Sequence, residues 1–433
     1  MRLEKTVIRY RDRLKKAVSD DFSKPAEETD LTEILPLISE IRHIRRNLGH
    51  WLAPKSVSTP LPLMGASSRI ELRPKGVVLV ISPWNYPILL TLSPLAGAIA
   101  GGNAVMVKPS EFTPHTSGLL SMMLSEIFSE SEVCVVCGDA EVAREVLQLP
   151  FHHIFFTGST RVGKLVMKAA AEHLSSITLE LGGKSPVIVD ATANIDKAAR
   201  RIAWGKFLNA GQTCVAPDYV LAQRDIARPL AEAIIKYWES FAEGAHPAYS
   251  GMVNEQHRDS RAAMLEELPD SAELFQPKAN LTQTRSALHP TIVFGSASAH
   301  SRLMKEEIFG PILPIHTFDT FDEAISSVNT LDRPLVAYIF STSKKHIRRL
   351  QNETASGAVC INHTLVYLFN PELPFGGVNN SGFGKSHGYF SLREFTYERA
   401  IFHQRLPFSV ADMLRPPYNG FKRWLIEFSL RYF

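Results

Sequence analysis

Cysteine is scarce: Cys134, Cys137, Cys214 and Cys360 are the only four in 433 residues. Thiols this sparse build no disulfide framework, and a reducing compartment fits them. A surplus of one charge is missing too, with 47 basic residues against 44 acidic ones and a net charge of +3. That balance excludes the basic footprint of a nucleic-acid binder, so no nucleic-acid partner is expected. No targeting segment is visible either. The opening MRLEKTVIRYRDRLKK is interrupted by Glu4 and Asp12 and runs into no apolar core, which favours a cytoplasmic location. Residues 76–107 carry no charge, but Pro83, Asn85, Pro87, Pro94, Gly101, Gly102 and Asn103 punctuate them. They read as a buried strand, a turn, a helix and a second buried strand rather than a membrane span.

What is present reads as a folded α/β chain. Hydrophobic residues make up 45% and charged ones 21%, which suits a sizeable core and excludes global disorder. Residues 1–54 carry Leu and Ile at helical spacing between basic residues, a pattern of amphipathic helices with a solvated basic face. From residue 76 short apolar runs alternate with helical stretches. GVVLVI, AVMV, VCVV, HIFF, ITLEL and PVIV are interleaved with helical patterns at 88–100, 114–128, 139–148, 161–173 and 195–208. This is the βαβα rhythm of a parallel sheet covered on both faces. It resumes with YVLA and a helix from about Asp225, weakens through 242–290, and returns with ILPIHTF, FDEAISSVN, LVAYIF and AVCIN.

The expected fold is therefore α/β, with two doubly wound parallel-sheet lobes divided near residue 181. Residues 1–54 and 76–180 form the first, Rossmann-like lobe, and 181–385 the second. Residues 55–75 and 390–405 look extended, as RIELRP and REFTYERAIF show. A two-stranded arm of this kind is marginal alone and prone to pair with another chain. Residues 406–433 form a tail.

Four places carry residue types suited to chemistry. FTGSTRVGK follows a strand and opens a helix, where Gly158 and Gly163 permit close backbone approach. Free N–H groups at a helix start make a phosphate site. Read literally, Gly158, Gly163 and Lys164 match G-x-x-x-x-G-K, with VIVD at 187–190 as a Walker B strand. Against a P-loop nucleotide hydrolase or kinase, Leu165 stands where Ser or Thr must ligate Mg²⁺. A glycine-rich turn with no ligand is the plainer alternative.

The second place is Cys214 in LNAGQTCVAPD. A lone cysteine is usually a small buried hydrophobe, but Gly211, Gln212 and Thr213 form a polar turn that can present a thiol to a cleft. Nucleophilic use also needs a base, an oxyanion donor and an acceptor for what leaves. Cys134 and Cys137 form a CxxC without a second pair, so no metal site is expected. The third is Glu180, which ends an apolar run before two glycines. Burial there is costly unless the carboxylate is used or paired, and it raises the pKa toward the range of a general base. A core ion pair is the alternative. The fourth is SPWNYP, whose Trp84 and Asn85 lie just past a buried strand, at the ligand-binding edge of an α/β sheet. The Asn85 amide can donate to a developing oxyanion or simply make a turn.

Taken in order, PWNYP, KPSE at 108–111, FTGSTRVG, LELGGKSP, GQTC, EEIFGP at 306–311 and PFGGVNNSGFGK at 374–385 resemble the aldehyde dehydrogenase superfamily. The resemblance runs from about residue 75 to 404. NAGQTCVAPDYVL and the compact N-terminus are similar to the class 3 branch, which includes the fatty aldehyde dehydrogenases. The resemblance implies Cys214 as the catalytic thiol, Asn85 with the Cys214 N–H as the oxyanion site, and Glu180 as the base that activates water. It implies Lys108 and Glu111 at the adenosine ribose, and Ser159 at the pyrophosphate beside Gly158 and Gly163. Glu307 and Phe309 would hold the nicotinamide ribose and ring, with Trp84 along the same cleft. The cofactor implied is NAD, because Glu111 would repel a 2′-phosphate; NADP is the alternative, since class 3 relatives often accept both.

The implied reaction is oxidation of an aldehyde to a carboxylic acid through a thiohemiacetal and a thioester on the thiol. Glu180 favours hydrolysis over transfer of the acyl group to CoA. A cofactor-independent cysteine esterase would leave KPSE, FTGST and EEIFGP unexplained. The resemblance also implies that the arm bridges to a second subunit in a homodimer. In the tail Phe421, Trp424, Leu425, Phe428 and Tyr432 recur at helical spacing, over a segment too short to span a bilayer. Three placements are open: on the protein's own surface, across the substrate entrance of a neighbouring subunit, or on a membrane surface as a peripheral contact.

Overall fold

The computed structural model describes residues 2–243, 249–279, 281, 286–295 and 301–432. Its strands in chain order begin with β1 (Lys55–Val57) and β2 (Ala66–Pro74). Then come β3 (Val77–Ile81), β4 (Ala104–Lys108), β5 (Val133–Val135), β6 (His153–Gly158), β7 (Ser176–Leu181), β8 (Pro186–Val189) and β9 (Tyr219–Gln223). The remainder are β10 (Glu273–Phe275), β11 (Thr291–Phe294), β12 (Ile312–Phe318), β13 (Val336–Phe340), β14 (Ala358–Ile361), β15 (Gly382–Phe383) and β16 (Thr396–Gln404).

Two sheets carry the fold. The first runs β15-β7-β6-β3-β4-β5 and the second β10-β11-β12-β9-β8-β13-β14. All pairings are parallel except β15 on β7 and β10 on β11. The central strands are apolar along their whole length because helices cover both faces. Val187, Ile188, Val189, Val220 and Ile339 are all fully buried. The chain passes from the C-terminal end of β7 at Leu181 to the N-terminal end of β8 at Pro186. The C-terminal edge of the first sheet therefore meets the N-terminal edge of the second, which sets a cleft between them.

Two expectations are corrected here, the extent of the second lobe and the make-up of the arm. The second lobe does not hold the chain to residue 385, because β15 adds antiparallel to β7, pairing Gly382 with Glu180. The arm has three strands, not two, in the order β1-β2-β16. Its last strand begins at Thr396, because residues 390–394 belong to the helix Gly388–Glu394. The tail helix Gly420–Tyr432 has no buried residue, and its Leu425 and Ile426 are half-buried where it meets the turn at 410–414. Phe421, Trp424, Phe428 and Tyr432 stack on one another along it at 6.0, 5.6 and 4.7 Å.

The N-terminal helices pack onto the first sheet, where Val7, Leu14, Leu37 and Ile38 join Val80, Leu92, Leu120 and Phe395 in one core. Their charges are not all solvated. Lys24 and Glu33 are completely buried and paired at 2.8 Å. Glu33 also accepts from the N–H groups of Ile88 and Leu89 at 2.8 and 3.3 Å. It thereby satisfies orphan donors at the start of the helix Leu89–Ala100. No described helix is long and apolar enough to cross a membrane.

Candidate active site

The cleft gathers groups from both sheets. β3, β4 and β6 end at Ile81, Lys108 and Gly158, and the residues just beyond each end face the cleft. Opposite them lie the turn before β9, which carries Cys214, and the loop before β12, which carries Glu307 and Phe309.

The Cys214 turn is built from backbone conformations that L residues avoid. Asn209, Ala210 and Gly211 take φ of 54°, 49° and 73° in succession. Such strain persists only where neighbours over-determine it. Here the buried Glu28 carboxylate accepts from Asn209 N–H at 2.7 Å, and Asn209 Nδ2 donates to Asn85 O at 2.8 Å and Gln212 O at 3.1 Å. Gln212 Nε2 donates to Asn209 O at 2.9 Å and Gly251 O at 3.0 Å, while its Oε1 accepts from Val253 N–H at 3.0 Å. Tyr86 and Thr213 share a hydroxyl–hydroxyl bond.

Asn85 is nearly fully buried and donates from Nδ2 to Gln212 O at 3.0 Å. An amide carries two N–H donors, so one remains for an oxyanion. Burial pushes the Cys214 thiol far above its usual value, and the charges of Glu307 and Glu180 push the same way. The N–H groups of Cys214 and Val215 face the sulfur and oppose that rise.

Glu180 sits near the end of β7, with Oε1 accepting from Ser386 Oγ at 3.0 Å. Its Oε2 is buried without a partner. Burial raises the carboxyl to about 8, against the opposing pull of Ser386 and Lys385. Glu307 is also raised to about 8 by burial, with Asp218 adding to the rise. Its Oε1 has no partner, and its Oε2 would lie 1.9 Å from a Cβ on Gly182. Only a glycine at 182 leaves room for that carboxylate.

The remaining candidates fall into two groups. Trp84 stands edge-on to Phe309 at 5.3 Å and to His257 at 5.2 Å, and His257 meets Phe112 at 5.6 Å. Phe309 holds φ 47°. Lys108 is buried and pairs with the exposed Glu111 at 3.0 Å. Ser159 caps the helix Thr160–Glu172, accepting from Val162 N–H at 3.4 Å. Beside Gly158, that leaves the first helical N–H groups open toward the cleft.

Gly163 stands apart from the rest. Its N–H is spent on Ser159 O at 2.9 Å, and a Cβ there would meet Leu181 Cδ2 at 2.8 Å. It serves close packing of the helix on β7 rather than contact with a phosphate. The P-loop reading fails on the same ground plan. Residues 187–189 lie on β8 in the second sheet, and Asp190 just beyond it is spent on Thr192, Ser341 and His346. Cys134 lies on β5 and Cys137 beyond it, and both are free thiols. Among the described residues no group of three or more His, Cys, Asp or Glu gathers to hold a metal.

A cavity of 450 Å³ opens on the other side of Cys214. Leu35, Leu89, Trp204, Leu208, Leu365 and Phe375 are among its apolar lining, with Thr213 and Cys214 also on the wall. Glu40, Tyr86 and His387 are its ionisable wall residues besides the thiol. None of its lining comes from 242–290, the stretch whose alternation was weakest. The apolar side chains that build it belong to helices and to the 365–375 segment, so their spacing reads as ordinary core.

Residues 1–401 match the aldehyde dehydrogenase family. A probable coniferyl aldehyde dehydrogenase of Caulobacter vibrioides is 42% identical over 97% of this chain and 89% of its own. The aldehyde dehydrogenase of Mus musculus described as dimeric and NADP-preferring is 38% identical over 93% of this chain and 88% of its own. The substrate-bound state of Staphylococcus aureus AldH superposes with a TM-score of 0.93 at 39% identity, covering 99% of this chain and 93% of that one. The chain belongs to the aldehyde dehydrogenase family and is an NAD(P)-dependent aldehyde-oxidising enzyme.

Proposed function

We propose that Cys214 is the nucleophile, Asn85 the oxyanion donor and Glu180 the base for hydrolysis. The carrying observation is that the thiol lies on the wall of an apolar cavity while Glu180, with a buried unpartnered oxygen, lies outside that wall and near enough for its charge to act on the thiol. The Cys214 thiol gives its proton to solvent water as its sulfur bonds to the aldehyde carbonyl carbon, and the C=O π pair moves to the oxygen, where the free Asn85 N–H with the Cys214 N–H takes the oxyanion. One such donor is typically worth about 2.7–4 kcal/mol. When bound, the nicotinamide supplies the hydride acceptor that converts the thiohemiacetal to a thioester. Glu180 then takes a proton from water as the water oxygen bonds to the acyl carbon. The carbon–sulfur bond breaks, the carboxylic acid leaves, and Glu180 returns the proton it took to the departing sulfur.

The residues on the page fit a dinucleotide. The open N–H groups at Ser159 suit a pyrophosphate, the orphaned Glu307 Oε1 suits a ribose hydroxyl, and Phe309 with Trp84 gives a ring wall. Lys108 and Glu111 suit the adenosine ribose, and the Glu111 charge favours NAD over NADP, unlike the mouse relative's printed preference. Comparing kcat/KM with NAD and NADP over an aldehyde chain-length series tests both cofactor and substrate at once. The assignment of the thiol fails if Cys214→Ala retains turnover.

The three-stranded arm is proposed to bridge a homodimer, as the word dimeric in the mouse relative's description supports. Light scattering at micromolar concentration should give twice the chain mass, and a monomer would refute it. Four free thiols fit the cytoplasm. The tail helix, with no buried residue and an exposed aromatic ladder, is proposed to lie on a membrane surface. Vesicle co-sedimentation of the full chain tests that, and loss of binding on deleting residues 419–433 should follow.

A further inference from the structure

Glu180 does not hang from its strand unsupported. Ser386 Oγ donates to Glu180 Oε1 at 3.0 Å, so the carboxylate's other oxygen is the one left for a water. Ser386 is itself pinned. Its N–H donates to Phe375 O at 2.7 Å, and Phe375 N–H returns a bond to Ser386 O at 3.0 Å. On one side Lys385 N–H donates to Glu394 Oε1 at 3.1 Å, and Lys385 Nζ donates to Gly376 O at 2.5 Å and Gly377 O at 3.2 Å. On the other side Gly388 N–H donates to the buried Glu40 at 2.7 Å. Gly384, His387 and Gly388 take φ of 85°, 77° and 52°. Those left-handed turns let a strap of four residues cross beneath the carboxylate.

We propose that Ser386 is the positioning residue for Glu180: its hydroxyl fixes the carboxylate in one orientation, leaves Oε2 for the hydrolytic water, and favours the ionised form. The proposal rests on the reading of Glu180 as the base. Ser386 touches no reacting atom and acts through Glu180 alone.

The electrostatics agree with the geometry. Burial drives Glu180 toward its neutral form, and a hydrogen bond to the carboxylate drives it back. Lys385 on the strap acts with Ser386, while Glu394 on the helix Gly388–Glu394 acts against it. Cys214 and Tyr367 face the same carboxyl from the nucleophile turn and the 366–369 turn, and each is raised by its charge. Removing the Ser386 hydroxyl therefore moves the Glu180 titration to higher pH. A rise of one unit lowers the ionised fraction at pH 7 about tenfold.

The test is the pH profile of steady turnover beside the NAD(P)H burst, in wild type, Ser386→Ala, Ser386→Thr and Glu180→Gln. In Ser386→Ala the rising limb of turnover should move up in pH with the burst amplitude kept. Ser386→Thr, which restores a hydroxyl, should return the limb toward its original place. An unshifted limb in Ser386→Ala, or a burst lost in step with turnover, overturns the proposal. Glu180→Gln separates the two readings: if it keeps the rising limb, Glu180 is not the base. If it abolishes the limb while Ser386→Ala leaves it unmoved, only the positioning role falls.

Discussion

Adding one methyl group to the nucleophile turn should cost far more catalysis than its size implies. Gly211 is the third left-handed residue in a row, at φ 73°. An L side chain in that conformation costs about 1–2 kcal/mol. The larger effect is steric. A Cβ on Gly211 would lie 2.3 Å from Gly310 O and 3.3 Å from Lys206 Cδ. A carbon and a carbonyl oxygen settle at about 3.3 Å or more, so the two backbones must part by about 1 Å. Neither can yield cheaply. Gln212 is tied to Asn209, Gly251 and Val253, while Gly310 precedes β12. The displacement falls on Cys214 on one side and on Glu307 and Phe309 on the other. A misplacement of about 1 Å can cost about a hundredfold in rate. Gly211→Ala should therefore slow the NAD(P)H burst about a hundredfold and raise KM for the dinucleotide. Stopped-flow absorbance under single turnover reads the first, and steady-state titration the second. A burst within twofold of wild type, in a folded protein, would refute the close-approach argument.

Four further outcomes are expected. Lys24→Met leaves the buried Glu33 without its ion-pair partner, a loss of about 3–5 kcal/mol that urea unfolding should register. Steady turnover should rise with pH through about 8, because Glu180 must be ionised to act and burial holds it there; a profile flat from pH 6 to 9 contradicts this. Stability should move the opposite way. Glu28, Glu180 and Glu307 are raised to about 7, 8 and 8, so their neutral forms favour the fold. Stability then declines as pH rises from the ordinary carboxyl range near 4.5 through those values. Deleting residues 419–433 should change the rate ratio of long- to short-chain aldehydes on vesicles and leave dinucleotide affinity intact, and an unchanged ratio there counts against the surface placement.

The alternation of apolar runs was the most legible feature. GVVLVI, AVMV, HIFF and PVIV lie within one or two residues of β3, β4, β6 and β8, because strands buried on both faces have no polar interruptions to blur them. The site's first residues were legible because each sits in a compact motif at the end of a strand or helix. What joins them was not. Glu28 and Glu33 lie among exposed charges on an N-terminal segment, and nothing local distinguishes a carboxylate that supports a turn far along the chain. Ser386 is a small polar residue beyond a glycine-rich stretch, and its role exists only because β15 brings it beside β7. His257 lies in the weakest stretch of the rhythm, where a single helix and an antiparallel edge strand replace the βα repeat. A glycine three residues into a helix looks alike in sequence whether it faces a ligand or a packed leucine, and Gly163 lies against Leu181. The tail's stripe has the period of a core helix, and period alone does not say what covers it.

The most direct test of the account is a covalent one. Glu180→Gln enzyme, mixed with NAD and a saturating aldehyde and quenched in acid, should carry one acyl group by intact mass, since the thioester forms and its hydrolysis is slowed. Peptide mapping should place that acyl group on Cys214. An unmodified protein after a full burst of NADH, or an acyl group on Cys134, Cys137 or Cys360 instead, would contradict it.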